Sequence, residues 1–218
     1  MKKVQVEASE NGETKVKEKS FIREALDWIF CFVIAFVVAV LVRYFIFTPT
    51  LVSQTSMTPT ILDKERVLIN RLVRTFKLPL YRGDIITFEM PAYTEEGLGM
   101  YNEPANTIEF LKHDVLEIGK ISFIKRVIGV AGDHVEIKNG NVYVNDQKLS
   151  EVYLNGIKTP VTGPFYDVEV PEGYIFVMGD NRSDSSDSRE FGCIPLEKVE
   201  GRVTIRIWPF SKFGKIDK

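Results

Sequence analysis

The longest apolar run of the chain lies close to its N-terminus. From Trp28 to Val42 no charged residue occurs, and after Arg43 the apolar character continues to Phe47. About twenty residues of helix span the hydrocarbon core of a bilayer, and an arginine near the end of such a helix reaches the headgroups. We therefore predict a single transmembrane helix over residues 25–47.

A cleaved secretory signal or a buried core helix would also contain an apolar run. A secretory signal ends in small residues of the A-x-A kind, whereas this run continues into Arg-Tyr-Phe-Ile-Phe-Thr-Pro. A buried core helix would need a much larger soluble domain around it. Lys and Arg in the polar tail, residues 1–24, favour a cytoplasmic N-terminus. Residues 48–218 are then expected on the outer side of the cell membrane.

Beyond the apolar run, short segments rich in β-branched and aromatic residues alternate with turn residues, which is typical of an all-β domain. The strongest hairpin signal is Asn139-Gly140, because a two-residue type I′ turn requires positive φ at both positions. The interval 90–122 has weak periodicity and is predicted as a variable insertion without an assigned function. The predicted strands are RVLINRLV, DIITFEM, FIKRVIGV, HVEIKNGNVYVN, YIFVM and RVTIRIWPF.

Composition narrows the classes of partner. The chain has 218 residues, 44% of them hydrophobic, which is enough for one sizeable domain and an appendage. Its formal net charge of −2 gives no basic surface for phosphates, so we expect the lipid bilayer and no nucleic acid as partner. Cys31 and Cys193 lack a paired spacing, which favours neither a disulfide framework nor a zinc site. No metal or other cofactor is predicted, and the oligomeric state is left open.

Two polar residues stand out against this background. Ser56 lies in the small-residue segment VSQTSMTPT just after the apolar run, where a serine is most often a turn or cap residue. Lys125 lies in an apolar segment, and alternation places it on one face with Phe123 and Val127. A charged lysine on an apolar face is costly unless it is paired or neutral. An edge-strand lysine that faces water is the common alternative.

A third feature is the segment GDNRSDSSDSREFG, which is dense in charges and hydroxyl groups. Such a segment is most often a solvated polar loop. A calcium loop of the EF-hand type needs Gly at its sixth position and Glu at its twelfth. Counted from Asp180, these positions hold Ser185 and Phe191, so the pattern argues against a calcium loop.

Four segments, taken in order, resemble the type I signal peptidases, the bacterial leader peptidase family with a Ser-Lys dyad (peptidase family S26). The apolar run before the first segment and Trp208-Pro209 in the last strand also fit, so the resemblance covers residues from about 28 to 210. It implies a mainly β fold, with an N-terminal transmembrane helix followed by an all-β catalytic domain. The matching segments are Ser-Met-x-Pro-Thr at Ser56–Thr60, Arg-Gly-Asp-Ile at Arg82–Ile85, Lys-Arg-Val-x-Gly-x-x-Gly-Asp at Lys125–Asp133, and Gly-Asp-Asn-Arg with Ser-x-Asp-Ser-Arg within Gly179–Arg189.

The resemblance implies that Ser56 attacks the scissile carbonyl and that neutral Lys125 takes the serine proton. An unperturbed lysine has a pKa of about 10.4, so burial must lower the pKa by about two to three units for this chemistry near neutral pH. The resemblance also implies that the hydroxyl of Ser185 positions the lysine. It further implies two structural ion pairs near the site, Asp180 with Arg126 and Asp187 with Arg189.

One position departs from the family pattern. Many members have a serine two residues before the nucleophile, whose hydroxyl completes the oxyanion hole, whereas this chain has Gln54. Either the Gln54 side-chain amide or a backbone N–H would supply the second donor. A histidine base is not favoured, because His113 lies in the weakly patterned interval and His134 opens a hairpin strand.

The predicted function is that of a membrane-bound serine endopeptidase. It would cleave N-terminal signal peptides from exported preproteins at the outer face of the membrane, after a small-x-small motif such as A-x-A. Self-cleaving Ser-Lys repressors share the β architecture in outline, but they predict a DNA-binding head and a cytosolic chain. A catalytically impaired, membrane-tethered β domain that acts in binding or assembly would leave the four motifs as coincidence.

Overall fold

The chain divides into two compact units, residues 1–42 and residues 43–218. The predicted fold class is confirmed, because one long apolar helix near the N-terminus is followed by a mainly β unit. The computed structural model describes residues 6–7, 15–16, 21–89, 92–94, 97–100, 106–115 and 122–216.

The long helix, α1, begins at Phe21 and ends at Phe45. Its 25 residues rise about 38 Å, which exceeds the roughly 30 Å of a hydrocarbon core, and none of its side chains is buried in the protein. By length and composition it is the one helix in the described part of the chain that could cross a membrane. The predicted span extends to Phe47, which instead begins a strand.

The remaining elements are short and mostly strands. Ahead of α1, β1 (Val6–Glu7) pairs with β2 (Lys15–Val16). In chain order after α1 come β3 (Phe47–Leu51), β4 (Arg66–Asn70), α2 (Leu72–Thr75), β5 (Ile85–Glu89), β6 (Ala92–Thr94), β7 (Gly97–Met100), α3 (Thr107–Phe110), a π-helical turn (Leu111–Val115), β8 (Ser122–Val130), β9 (His134–Lys138), β10 (Asn141–Val144), β11 (Gln147–Lys148), a 3₁₀ turn (Val152–Leu154), β12 (Asp167–Glu169), β13 (Tyr174–Met178), α4 (Ser188–Phe191), β14 (Ile194–Pro195), a 3₁₀ turn (Leu196–Lys198), β15 (Val199–Trp208), a 3₁₀ turn (Phe210–Lys212) and β16 (Gly214–Lys215).

Eight of these strands form one antiparallel sheet in the order β14-β13-β8-β5-β15-β4-β3, with β16 paired to β15. A second sheet has the order β11-β10-β9-β12, and β6 pairs with β7. The order of the main sheet places β8 beside β5 and β5 beside β15, although these strands are far apart in sequence. We call the eight-stranded sheet the main sheet and the four-stranded sheet the arm sheet.

Local sequence explains most of these elements. Val67 and Ile69 are buried on alternate positions of β4, as a half-buried strand requires. The hairpin predicted at Asn139-Gly140 is present, with φ of 53° and 76° at the two turn residues. The predicted strand RVLINRLV is only half right, because β4 ends at Asn70. The Asn70 side chain accepts a hydrogen bond from the N–H of Leu72 at 3.0 Å, a local bond that competes with strand pairing.

The predicted insertion is partly structured. Within its described residues lie β6, β7, α3 and the π-helical turn, and Ser122 belongs to β8. The residues on β8 alternate between two clusters of buried apolar side chains. Ile124 packs with Met57 in the first cluster, whereas Phe123 and Val127 pack in the second. The face predicted for Phe123 and Val127 is therefore confirmed, and a third cluster joins β8 to the arm sheet through Ile128 and its neighbours.

Candidate active site

Ser56 and Lys125, which are 69 residues apart in sequence, meet in the interior of the β unit. The Lys125 Nζ lies 2.7 Å from the Ser56 Oγ. Ser56 belongs to the loop between β3 and β4, and Lys125 lies in the middle of β8. The two residues are 8% and 1% exposed. The structure thus brings together the predicted nucleophile and the predicted base, at a distance that permits proton transfer.

Burial lowers the pKa of Lys125 to about 8. Desolvation is the largest cause, because a charged ammonium is disfavoured in an apolar surrounding. The charge of Asp187 raises this pKa and that of Arg189 lowers it, so the two charges oppose each other. The ring centre of Phe123 lies 4.9 Å from Nζ. At pH 7 about one lysine in ten is then neutral and able to accept a proton.

The loop that carries Ser56, residues 52–65, which we call the nucleophile loop, is fixed by backbone contacts. The N–H of Thr58 donates to the carbonyl of Thr55 at 3.0 Å, and the N–H of Ile61 donates to the carbonyl of Met57 at 2.9 Å. The carbonyl of Ser56 itself accepts from the N–H of Asn181 at 2.9 Å. This last bond joins Ser56, the predicted nucleophile, to the segment 179–192, which we call the catalytic loop.

Asp187 organises the catalytic loop. Its carboxylate accepts from Nε and Nη2 of Arg189, each at 2.8 Å, and from the N–H of Gly179 at 3.0 Å. It also caps α4, and both members of the ion pair are fully buried. The Ser185 hydroxyl donates to Asp187 at 2.7 Å. Since its one proton is used there, the Ser185 oxygen can act toward Lys125 only as an acceptor, and its positioning role stays a prediction.

Gly179 marks how closely the catalytic loop approaches the nucleophile. A Cβ atom at this position would lie 2.5 Å from the carbonyl oxygen of Ser56 and 2.2 Å from Oγ of Ser185. Both distances are far below van der Waals contact, so only glycine fits between these groups. Ser185 and the Ser56 backbone are therefore neighbours across the same glycine.

Asp180 forms the second predicted ion pair. Its carboxylate accepts from Nε and Nη2 of Arg126 at 2.8 and 2.7 Å, and the pair is buried. The hydroxyl of Thr60 donates to the same carboxylate at 2.5 Å. Because Arg126 follows Lys125 on β8 and Thr60 lies in the same loop as Ser56, Asp180 connects both halves of the predicted dyad to the catalytic loop. Arginine side chains thus donate two hydrogen bonds each to this carboxylate and to that of Asp187.

Sequence reasoning missed a second buried network around Arg182. Its Nε donates to the carbonyl of Gly179 at 3.0 Å, and its Nη2 donates to Glu151 at 2.5 Å. The hydroxyl of Tyr153 donates to Glu151 at 2.9 Å, and the Tyr153 ring centre lies 3.9 Å from the Arg126 guanidinium carbon. Arg182 belongs to the fourth motif, so the sequence could have pointed to it. Glu151 and Tyr153 lie in a segment without any motif, so the sequence gives no indication of their role.

His134 does not contribute a base to the site. His134 lies on the arm sheet, with Nε2 at 2.6 Å from the Asp167 carboxylate. The side chain of His113 lies outside the described residues. The titratable group that contacts the Ser56 hydroxyl is Lys125.

A groove of about 450 Å³ opens beside Ser56. Gln54 is exposed and lines the same groove as Ser56, so its side chain belongs to the site, while its role as oxyanion donor stays a prediction. Part of the groove is apolar, and part is lined by polar side chains of the main sheet. The apolar side chains are Pro49, Leu51, Val52, Met57, Ile69 and Ile124, and the polar ones of the sheet are Thr48 and Thr50 of β3 at one edge and Thr87, Ser122 and Glu200 of the inner strands.

Comparison with known proteins places this chain in a family. Residues 25–208 match the family described as signal peptidase, peptidase S26. Signal peptidase IB of Staphylococcus aureus (strain COL) is 36% identical over 206 residues, which cover 88% of this chain and 93% of the relative. Signal peptidase I of Bacillus licheniformis is 34% identical over 212 residues, which cover 94% and 100%.

Among solved structures, a signal peptidase I from Enterococcus faecalis V583 is 31% identical, with a TM-score of 0.40 and coverage of 58% of this chain and 97% of that one. Family membership does not depend on that superposition. It follows from the family match along most of the chain and from relatives matched along nearly their whole length. The chain therefore belongs to the signal peptidase family, peptidase S26.

Proposed function

We propose that Ser56 is the nucleophile and Lys125 the general base of this protein. As a member of its family, the protein is a membrane serine endopeptidase that cleaves signal peptides from preproteins, and a purely binding role is not favoured. The observation that supports the residue assignment is the 2.7 Å distance between Nζ and Oγ in a buried setting. The pKa of Lys125, lowered to about 8, makes the neutral amine accessible near physiological pH.

The reaction uses the dyad twice. Neutral Lys125 accepts the Ser56 proton while Oγ attacks the carbonyl carbon of the scissile bond, which gives a tetrahedral intermediate and an ammonium. The ammonium then protonates the leaving amine, which becomes the N-terminus of the mature protein, and the signal peptide remains as an ester on Ser56. In the second half, neutral Lys125 takes a proton from water while the water oxygen attacks the ester carbon. The ammonium then returns that proton to Oγ of Ser56 as the ester bond breaks, which releases the signal peptide and restores the dyad.

The charge of the tetrahedral oxygen needs donors at the nucleophile. The backbone N–H of Ser56 is one, and the Gln54 side-chain amide, which lines the same groove, is the second donor of this proposal. A Gln54→Ala variant should lose about a hundredfold in kcat with little change in KM, because the donor acts on charge that develops only in the transition state. An unchanged kcat would assign the second donor to a backbone N–H instead.

Five supporting residues hold the dyad without touching the substrate. Asp187 with Arg189 and Asp180 with Arg126 are buried bidentate pairs that fix the catalytic loop against β8 and the nucleophile loop. Ser185, whose proton is used by Asp187, offers its oxygen to an N–H of the neutral amine and so directs the lysine lone pair toward Ser56.

The arrangement across the membrane is also part of the proposal. The polar tail, residues 1–24, lies in the cytoplasm, residues 25–47 anchor the chain, and residues 48–218 form the catalytic region on the outer side. The basic residues before the apolar segment support this orientation. Protease added to intact cells should digest the catalytic region and spare the tail, and the reverse pattern would invert the topology.

The deciding assay is cleavage of a preprotein with an A-x-A motif by the full chain in detergent. Ser56→Ala and Lys125→Ala should each abolish cleavage while circular dichroism shows an intact fold. Ser150→Ala and Lys148→Ala are matched controls, because both residues are exposed and lie at the arm sheet, away from the groove. Full activity of Lys125→Ala would refute the dyad.

A further inference from the structure

The polar end of the groove has no part in the cleavage chemistry described above. Thr87 of β5, Ser122 of β8 and Glu200 of β15 come from three neighbouring strands of the main sheet and line the groove together. Thr87 and Glu200 are 1% and 3% exposed, and the Ser122 hydroxyl donates to Oε1 of Glu200 at 2.8 Å. We call these three side chains the polar floor.

Thr87 gives the polar floor an unused hydrogen-bonding group. Its Oγ1 is buried and has no hydrogen-bond partner among the residues that the structure describes. Buried hydroxyls in native proteins nearly always have a partner. Since Thr87 lines the groove, a side chain bound there is placed to supply one.

The charges around the polar floor favour a neutral occupant. Burial lowers the pKa of Arg71 to about 10, and the nearby carboxylate of Glu200 opposes this shift, so Arg71 and Glu200 interact. Arg43 also lines the groove. Of these charged groups only Glu200 belongs to the polar floor, so its carboxylate repels a ligand carboxylate there, and the two guanidinium groups nearby repel an ammonium. A hydroxyl, which both donates and accepts, matches the groups that are present.

The spacing of residues along β8 relates the polar floor to one side-chain position of a peptide bound in the groove. Ile124 and Ser122 are two residues apart on β8 and both line the groove, so they lie about 6.6 Å apart along the strand. An extended peptide repeats its side chains on one face with the same spacing. Met57 follows Ser56 and Ile124 precedes Lys125, so these two side chains line the part of the groove at the dyad, and the polar floor lies one such repeat away from it along β8.

We propose that the polar floor selects a hydroxyl side chain, Ser or Thr, at the first of the two small positions in the small-x-small motif of the substrate. The proposal rests on the proposed function and deepens it, because it names the substrates that this chain cleaves best. It predicts discrimination between Thr and Val, which have nearly the same shape and differ in one hydroxyl.

The test uses two preproteins that differ only in Thr or Val at that position, cleaved by the full chain in detergent. Wild type should show a kcat/KM about tenfold higher for the Thr substrate, the ratio that one net hydrogen bond supplies. Thr87→Val and Ser122→Ala should each bring this ratio close to one. Thr204→Val is the matched control, because Thr204 is a partly buried β15 residue that does not line the groove, and it should keep the wild-type ratio.

The outcomes separate the two claims. Cleavage of both substrates by wild type at equal rates, or faster cleavage of the Val substrate, would overturn the hydroxyl selection and leave the peptidase assignment intact. Absence of cleavage of either substrate would count against the proposed function. In that event, binding of the corresponding Thr and Val peptides to the Ser56→Ala chain still decides the selection, since a hydroxyl preference requires tighter binding of the Thr peptide. A Thr87→Val chain that fails to fold leaves the wild-type ratio and Ser122→Ala as the deciding measurements.

Discussion

The kcat/KM of the enzyme should increase as the pH is raised to about 8. With the pKa of Lys125 at about 8, about one lysine in ten is neutral at pH 7, whereas at the ordinary value of 10.5 only about one in three thousand would be. Burial therefore increases the fraction of competent enzyme about 300-fold at pH 7, which corresponds to about 3 kcal/mol. The plot of log kcat/KM against pH should rise with unit slope and level off near pH 8.

The same shift has a consequence for stability with a defined sign. The folded pKa of Lys125 lies below the unfolded value of 10.5, so the unfolded chain binds more protons between about pH 8 and about pH 10.5. The contribution of this residue to the free energy of unfolding should therefore increase with pH across that window, by about 3 kcal/mol in total.

The assay measures initial rates on an A-x-A preprotein and, in parallel, denaturant unfolding of the full chain in detergent, between about pH 6 and about pH 10. Lys125→Met is the reference, because it removes the titrating amine and keeps an apolar side chain of similar length. The difference between wild type and this variant isolates Lys125 from the other titrating groups. A rate profile that levels off only above about pH 10, or near pH 6.5 as for a histidine, would refute the buried-lysine mechanism.

Three further substitutions test the surroundings of the dyad. Gly179→Ala should lower kcat by about a hundredfold, because the new Cβ displaces the Ser56 backbone, and an unchanged kcat would contradict the close approach. Arg126→Lys should lower the free energy of unfolding by about 2 kcal/mol, since a lysine cannot make both hydrogen bonds to Asp180. Urea denaturation measures this loss of stability. An unchanged free energy of unfolding would show that the bidentate pair is dispensable. Glu151→Gln should destabilise the chain by about 3 kcal/mol in the same measurement, because it leaves a buried arginine uncompensated, and the matched exposed change Glu172→Gln should have little effect.

The sequence predicts those parts of the molecule that depend on local pattern. The apolar helix follows from a run of residues without charge, and the β9–β10 hairpin follows from two residues that tolerate positive φ. The pairing of Ser56 with Lys125 follows from four ordered motifs and not from periodicity, which by itself favours an edge-strand lysine. The structure supplies the reason that the lysine is buried, since β8 has strands on both sides and apolar clusters on both faces.

What the sequence does not predict depends on the order of strands. The polar floor exists only because β8, β5 and β15 are neighbours in the sheet, which no local pattern of Thr87, Ser122 or Glu200 indicates. The contact of Arg182 with Glu151 joins segments 31 residues apart, and nothing around Glu151 suggests a buried carboxylate. The sequence predicts a strand where the short helix α2 follows Asn70. The strand-like composition continues past Asn70, but the hydrogen bond from the Leu72 N–H to the Asn70 side chain ends the strand there.

The separation of 69 positions between the proposed nucleophile and the proposed base has a consequence for the chain before it is folded. In an unfolded chain Lys125 is solvated, has an ordinary pKa and is protonated at every physiological pH, and Ser56 is an ordinary alcohol. Proteolytic power appears only when β8 is enclosed by its neighbours and the nucleophile loop closes against it. With the proposed dyad, folding itself is thus the activation step, and the chain is inactive during its own synthesis.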